Sequence, residues 1–210
     1  MRRNRIDRGL KMTETAGCVD SLEAARDLLC DSSSIGYLDY YRALLEVHDG
    51  RVPRENDMRS NGLTPFRPYM GVMDCRDRLT PRYRMVGARY AEYFGADPTG
   101  RSYLDFVPEQ RKSAALEAFD LCMRLPCVMM ARILGVSVTG QERLAETVGL
   151  PVADDATGAP AFLYMTSIVL AVLGQNQDPA AITKRIGVMG RQFVDIGFGC
   201  PDIYQGIPLS

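Results

Sequence analysis

Few residues in this sequence have the types and spacing that catalysis needs. The 210 residues include a single histidine, His48. A Cys–His or Ser–His nucleophile would have to use it, and no neighbour completes such a site. Its place near the C-terminal end of a helical stretch gives it a plainer role, as a helix-face residue favoured by the helix dipole. The six cysteines are Cys18, Cys30, Cys75, Cys122, Cys127 and Cys200, with no C-x-x-C spacing among them. Cys122 and Cys127 straddle Pro126, but no second pair is there to complete a zinc site. No G-x-x-x-x-G-K-[ST] loop occurs, and the Gly-Phe-Gly run at Gly197 lacks the strand-then-helix setting of a dinucleotide site. The expectation is a protein that binds and does not catalyse, without a metal centre.

Aromatic side chains offer a different chemistry. Tyr83 and Met85 alternate along one predicted strand. Tyr90, Phe94, Tyr103, Phe106 and Phe119 come from helical stretches that would cover it. These seven either fill a core or line a pocket in which a tyrosine hydroxyl orients a small molecule.

The elements that must position them follow from local signals. Asp20 to Cys30 opens with a capping residue and Glu23 three positions on, with Leu22, Ala25 and Leu29 on one helical face. A second helix runs from Ile35 to Gly50. Its apolar face, Leu38, Tyr41 and Leu45 flanked by Tyr37 and Leu44, is wide. Residues 51–68 carry three prolines and form a connector. Tyr69 to Cys75 and Leu79 to Gly87 read as a strand hairpin. A short helix, a Gly95 cap, the Asp-Pro-Thr-Gly turn at 97–100 and a helix from Pro108 to Leu125 follow. Three strands complete the pattern, at Cys127 to Thr139, Arg143 to Ala153 and Ala161 to Leu173. In the second, Leu144, Val148, Leu150 and Val152 share one face, with Ala145, Thr147 and Gly149 on the other.

Two strands, a helical middle and three strands predict an α+β fold. One five-stranded antiparallel sheet carries short helices on one face, preceded by N-terminal helices. The divisions are a disordered basic arm over 1–19, N-terminal helices over 20–50, the connector, the sheet domain over 69–174 and a C-terminal extension over 175–210. That extension reads as a tail, ordered only where it docks.

The stretch Tyr83-Arg84-Met85-Val86-Gly87 through Phe94-Gly95-Ala96-Asp97-Pro98-Thr99-Gly100-Arg101 resembles a divergent bacterial single-domain PAS-like family. That family shows a strand ending in Gly-Thr, a helix and a Phe-Gly-x-Asp-x-Thr-Gly-Arg run. Ala88 stands here for its threonine, and Val152 for the second leucine of its late Leu-Pro-Leu. The resemblance covers roughly Ile35 to Gly174. It carries over Gly87, Phe94, Gly95, Asp97, Thr99, Gly100 and Arg101 as a structural signature, with Arg101 tying the turn to its backbone or to Asp97.

The resemblance implies a PAS-type five-stranded sheet and a sensory or regulatory module in signal transduction. Such a module binds an unidentified small molecule, a signalling protein partner or both. A ligand-free interaction scaffold is the alternative. The N-terminal helix, crowded by Tyr37, Tyr40 and Tyr41, is expected to contribute to a homodimer or to cap its own sheet. The cofactor is open. The region that would form the sheet domain has no axial histidine for a haem. It also lacks the cysteine of a photochemical flavin site where Gly95–Leu104 stands.

Charge and composition narrow the setting. Twenty-five Lys and Arg against 26 Asp and Glu leave a net charge of −1. No global pull toward nucleic acid follows. The exception is the basic arm Arg2, Arg3, Arg5, Arg8 and Lys11, after which translation could equally start at Met12. The longest uncharged run, 156–177, is too short in its apolar part to span a membrane. Scattered cysteines with no signal-like apolar run predict reduced thiols and a cytoplasmic chain.

Overall fold

The computed structural model describes residues 15–59, 61–173 and 182–201. Side-chain caps set where the first helices begin. Ser21 caps α1 (Leu22–Asp27) by accepting from the Ala24 amide. Asp31 caps α2 (Ser32–Val47) by accepting from the Ser33 and Ser34 amides. Each satisfies amide donors that a helix start otherwise leaves unpaired. The connector is built from short 3-10 turns at Asp57–Arg59, Asn61–Leu63 and Arg67–Tyr69.

Seven strands form one sheet. They are β1 (Thr15–Val19), β2 (Met70–Asp74), β3 (Arg82–Val86), β4 (Cys127–Ser137), β5 (Glu142–Ala153), β6 (Pro160–Leu173) and β7 (Thr183–Asp195), in the order β1-β7-β4-β5-β6-β2-β3. β1 runs parallel to β7 and every other pairing is antiparallel. α3 (Ala88–Glu92), a 3-10 turn at Tyr103–Phe106 and α4 (Lys112–Arg124) lie between β3 and β4 in the chain.

This corrects the expected five-stranded antiparallel sheet in strand number and in its wholly antiparallel character. β7 pairs with β4 over eleven positions, so part of the supposed C-terminal tail is an interior strand. Val19, at the end of the supposed disordered arm, lies in β1 and is held against Val194. The local signal was weak because Gly187 and Gly190 dilute β7, and its partner β4 lies about fifty residues away in sequence.

Helices cover both faces, not one. α1 and α2 pack on the face carrying Val128, Met130, Val148, Leu150, Phe162 and Val194. α3, the Tyr103–Phe106 turn and α4 pack on the face carrying Met73, Met129, Leu163, Met165 and Phe193. Strictly alternating strands thus read as almost continuously buried, because each face has its own apolar cover.

Candidate functional site

A cavity lies between the sheet and the α3–α4 cover. It offers about 60 Å³ to the centre of a water-sized sphere. A single water needs about 10–15 Å³ by that measure, so there is room for a small organic group. Small residues create the space. Ala115 and Ala118 face it from α4, and Ala131, Gly135 and Ala145 from the sheet floor.

The floor is laid out by strand register in cross-strand rows. Phe193, Met129, Gly149 and Met165 form one row, and Arg191, Ala131, Thr147 and Ser167 the next. Val188, Ile133, Ala145 and Val169 make an apolar middle row. Ile186, Gly135, Arg143 and Val172 form the far row. Two β-bulges make this possible. In β7 the register skips Met189, which brings Arg191 and Val188 to the same face although they are an odd number of residues apart. In β6 it skips Leu170, which does the same for Val169 and Val172.

Of the seven aromatic and methionine candidates, Tyr90, Phe94, Tyr103 and Phe119 line the cavity. Tyr83 and Phe106 stand behind them. The Tyr83 ring lies 6.0 Å from Tyr90, 5.9 Å from Phe94, 6.2 Å from Tyr103 and 6.1 Å from Phe106. Burial, with neighbouring Tyr90 and Tyr103, pushes the Tyr83 phenol well above its ordinary range. Tyr83 thus stays neutral and serves as a packing centre. Met85 does not belong to the site. The β2–β3 pairing joins Met73 to Tyr83 and Val72 to Met85, passing over Arg84, so Met85 turns to the opposite face and is 43% exposed.

Sequence reasoning missed Tyr93, Arg143 and Arg191. Tyr93 bars one end of the cavity. Its carbonyl accepts from the Thr183 amide on β7 at 2.6 Å, while its phenol hydrogen-bonds the Val169 backbone on β6. Burial raises the Tyr93 pKa, and the Val169 hydrogen bond and Arg143 partly offset that rise. Arg143 was legible in principle, since it alternates with Ala145 and Thr147. Arg191 was hidden by the bulge and by the glycines around it. Both arginines are buried, at 8% and 9% exposure.

The signature run builds the roof's anchor, not the cavity wall, apart from Phe94. Asp97 accepts from the Thr99 amide and hydroxyl, which holds its carboxyl below the usual range. Gly100 donates to the Tyr83 carbonyl at 2.6 Å, and Arg101 accepts from the Tyr83 amide. The run therefore docks on the outer edge of β3 and covers it. Arg101 reaches Asp105, not Asp97, and its guanidinium lies 4.5 Å from the Phe106 ring centroid. Gly95 has φ 67° and Gly100 φ 84°. Gly87 is extended, and a Cβ there would lie 1.9 Å from the Arg67 carbonyl oxygen.

His48 caps α2 and sits 3.5 Å from Asp57. Cys122 and Cys127 lie 3.9 Å apart and buried. Their mutual hydrogen bond and burial push the Cys122 thiol well up, which leaves it a poor nucleophile. The expectation of six reduced cysteines is corrected by a disulfide between Cys18 and Cys200, with Cα atoms 6.0 Å apart. Among the described residues no three His, Cys, Asp or Glu side chains gather as a metal site requires. No helix among them is long and apolar enough to cross a membrane.

In comparisons with known proteins, the chain matches no family model and no curated sequence.

Proposed function

We propose that this chain is a PAS-like regulatory module that takes a small molecule into the α3–α4 cavity and passes the change to a protein partner in signal transduction. The observation that carries the reading is the cavity itself. Its apolar walls are kept open by four alanines and Gly135 where larger side chains would pack. The resemblance of the Phe94–Arg101 run supports it, because that run anchors the roof. The floor offers a mechanical route outward. A ligand would press on Ile186 and Val188 of β7, and β7 carries β1 on its other edge.

The tyrosines that invited a dimer through the N-terminal helix are engaged within the chain. Tyr37 donates to the Tyr164 carbonyl at 3.1 Å and Tyr41 to the Pro151 carbonyl at 2.7 Å. Tyr40 packs on Phe66, with ring centroids 6.4 Å apart. The regulatory partner is accordingly proposed without an N-terminal helix dimer. The cytoplasmic expectation rested on reduced cysteines, and the Cys18–Cys200 bond removes that support.

Native mass spectrometry of the full chain, with a filled-cavity variant, tests the reading. Ala145→Leu adds a branched side chain to the apolar middle row. The expected result is a folded variant that has lost the small molecule or probe bound by the original protein. Retained binding in the filled variant, or no bound molecule and no probe binding in the original, sinks the reading and leaves a ligand-free scaffold.

A further inference from the structure

We infer that the Cys18–Cys200 bond is a redox latch. Oxidised, it holds β1 on the sheet. Reduction by a dithiol releases β1 while the other six strands stay paired. The inference stands apart from the cavity and its ligand.

Apart from the disulfide, little holds β1. It ends the strand order of the sheet, with its one neighbour, β7, on a single side. That pairing is parallel and short, Thr15–Val19 against Gly190–Val194. Parallel pairing is slightly weaker per residue than antiparallel. Among the described side chains of β1, Val19 alone is buried, and Gly17 brings no side chain at all. β7 is held differently. Its other edge pairs with β4 over eleven positions, and its Ile186, Phe193 and Val194 are buried in the two cores. A segment with few apolar contacts opens at a lower free energy than the sheet it lies on. Cutting the bond therefore frees β1 and leaves β7 in place.

The bond is also placed for exchange. Cys18 is exposed and Cys200 half-buried. Exposed disulfides are the ones open to an attacking thiolate. A thiolate of the dithiol attacks the Cys18 sulfur, the S–S bond breaks, and Cys200 leaves as a thiolate that takes up a proton. The second sulfur of the dithiol then attacks the mixed disulfide and releases Cys18 as a thiol. Two electrons and two protons pass to the cysteines, and the dithiol becomes a disulfide. The Cys200 Sγ lies 3.4 Å from the Phe193 carbonyl oxygen on β7, so the new thiol has an acceptor in place. Cys200 keeps its seat, and Cys18 rides on the strand that leaves. Cys75, Cys122 and Cys127 are buried thiols and do not compete for exchange. Release of β1 bares the outer edge of β7 over residues 190–194, which the oxidised protein covers.

Hydrogen exchange of the full chain, read by mass spectrometry before and after dithiothreitol, tests the latch. Alkylation in denaturant is expected to count four thiols before treatment of the folded protein and six after it. In the reduced protein the β1 peptide is expected to exchange about tenfold faster or more, with β4, β5 and β6 unchanged. Reoxidation with glutathione disulfide is expected to restore the slow exchange. Cys200→Ser is expected to show the fast β1 exchange with or without dithiothreitol, and Cys30→Ser to respond as the original does. Equal β1 exchange in the two redox states overturns the latch. So does a uniform loss of protection across the sheet, which would make the bond a staple of the whole fold. A thiol count that stays at four overturns it as well. If Cys200→Ser fails to fold, the reduced and reoxidised original protein alone decides the matter by the same criteria.

Discussion

Gly87 and Gly95 bound α3, and each is glycine for a different reason. Gly87 has ordinary dihedrals, but its neighbour leaves no room for a side chain, since the Arg67 and Pro68 carbonyls crowd the missing Cβ. Gly95 has φ 67°, and a Cβ there would also meet Ile182 at 2.4 Å. Gly95→Val is expected to cost on the order of 1–3 kcal/mol from left-handed strain, with Ile182 forced aside. Gly87→Ala, the smallest change available, is expected to cost at least about 1–3 kcal/mol because backbone must move. Urea denaturation of both variants checks this. Midpoints equal to the original for either one would show that the roof's hinges are not as tight as these contacts require.

At the scale of elements, Glu146 holds the N-terminal helix pair on the sheet. It is 1% exposed and sits on the β5 face opposite the cavity. It accepts from the Cys30 amide at 2.9 Å and the Asp31 amide at 3.1 Å, both in the α1–α2 junction. Arg132 on β4 pairs with it. One carboxylate therefore serves two orphan amides and a guanidinium. Glu146→Gln keeps the shape but loses the charge, and is expected to cost on the order of 2–4 kcal/mol. The readout is loss of protection from hydrogen exchange in α1 and α2 ahead of the sheet. Uniform behaviour of sheet and helices would contradict it. Tyr41→Phe leaves the Pro151 carbonyl without its donor and is expected to cost about 1–2 kcal/mol in thermal unfolding. Sedimentation of that variant should match the original, since the hydroxyl is used inside the chain.

For the whole molecule, the Cys18–Cys200 bond joins positions 182 residues apart and so closes nearly all of the described chain. It fastens edge strand β1 to the segment that follows β7. Removing a link that spans so long a loop releases chain entropy in the unfolded state. Cys18→Ser, or reduction of the original protein, is expected to lower stability by on the order of 2–5 kcal/mol. Thermal unfolding with and without reductant gives the comparison. No change in the original protein, or a reductant effect persisting in Cys18→Ser, would argue against the link.

The sequence by itself determined what local chemistry controls. Cap signals at Asp20 and in the Asp31–Ser34 run mark the two helix starts, although the structure caps them with Ser21 and Asp31 and begins the second helix at Ser32, before the expected Ile35. The proline-rich 51–68 connector has little regular structure, and alternation in β5 sorts its side chains between faces. Most of the aromatic cavity wall was also legible, because Tyr90, Phe94, Tyr103 and Phe119 share a cover whose helical spacing shows in sequence. The tertiary structure decided the rest, through pairings no local pattern reports. β7 is a strand because β4 and β1 supply its hydrogen bonds, and its glycines weaken any local signal. The bulges at Arg84, Met189 and Leu170 shift side chains by one position, and a one-position shift in a strand exchanges its faces. That exchange expels Met85 from the site and admits Arg191, because alternation holds only between bulges and the positions of bulges are set by the partner strand.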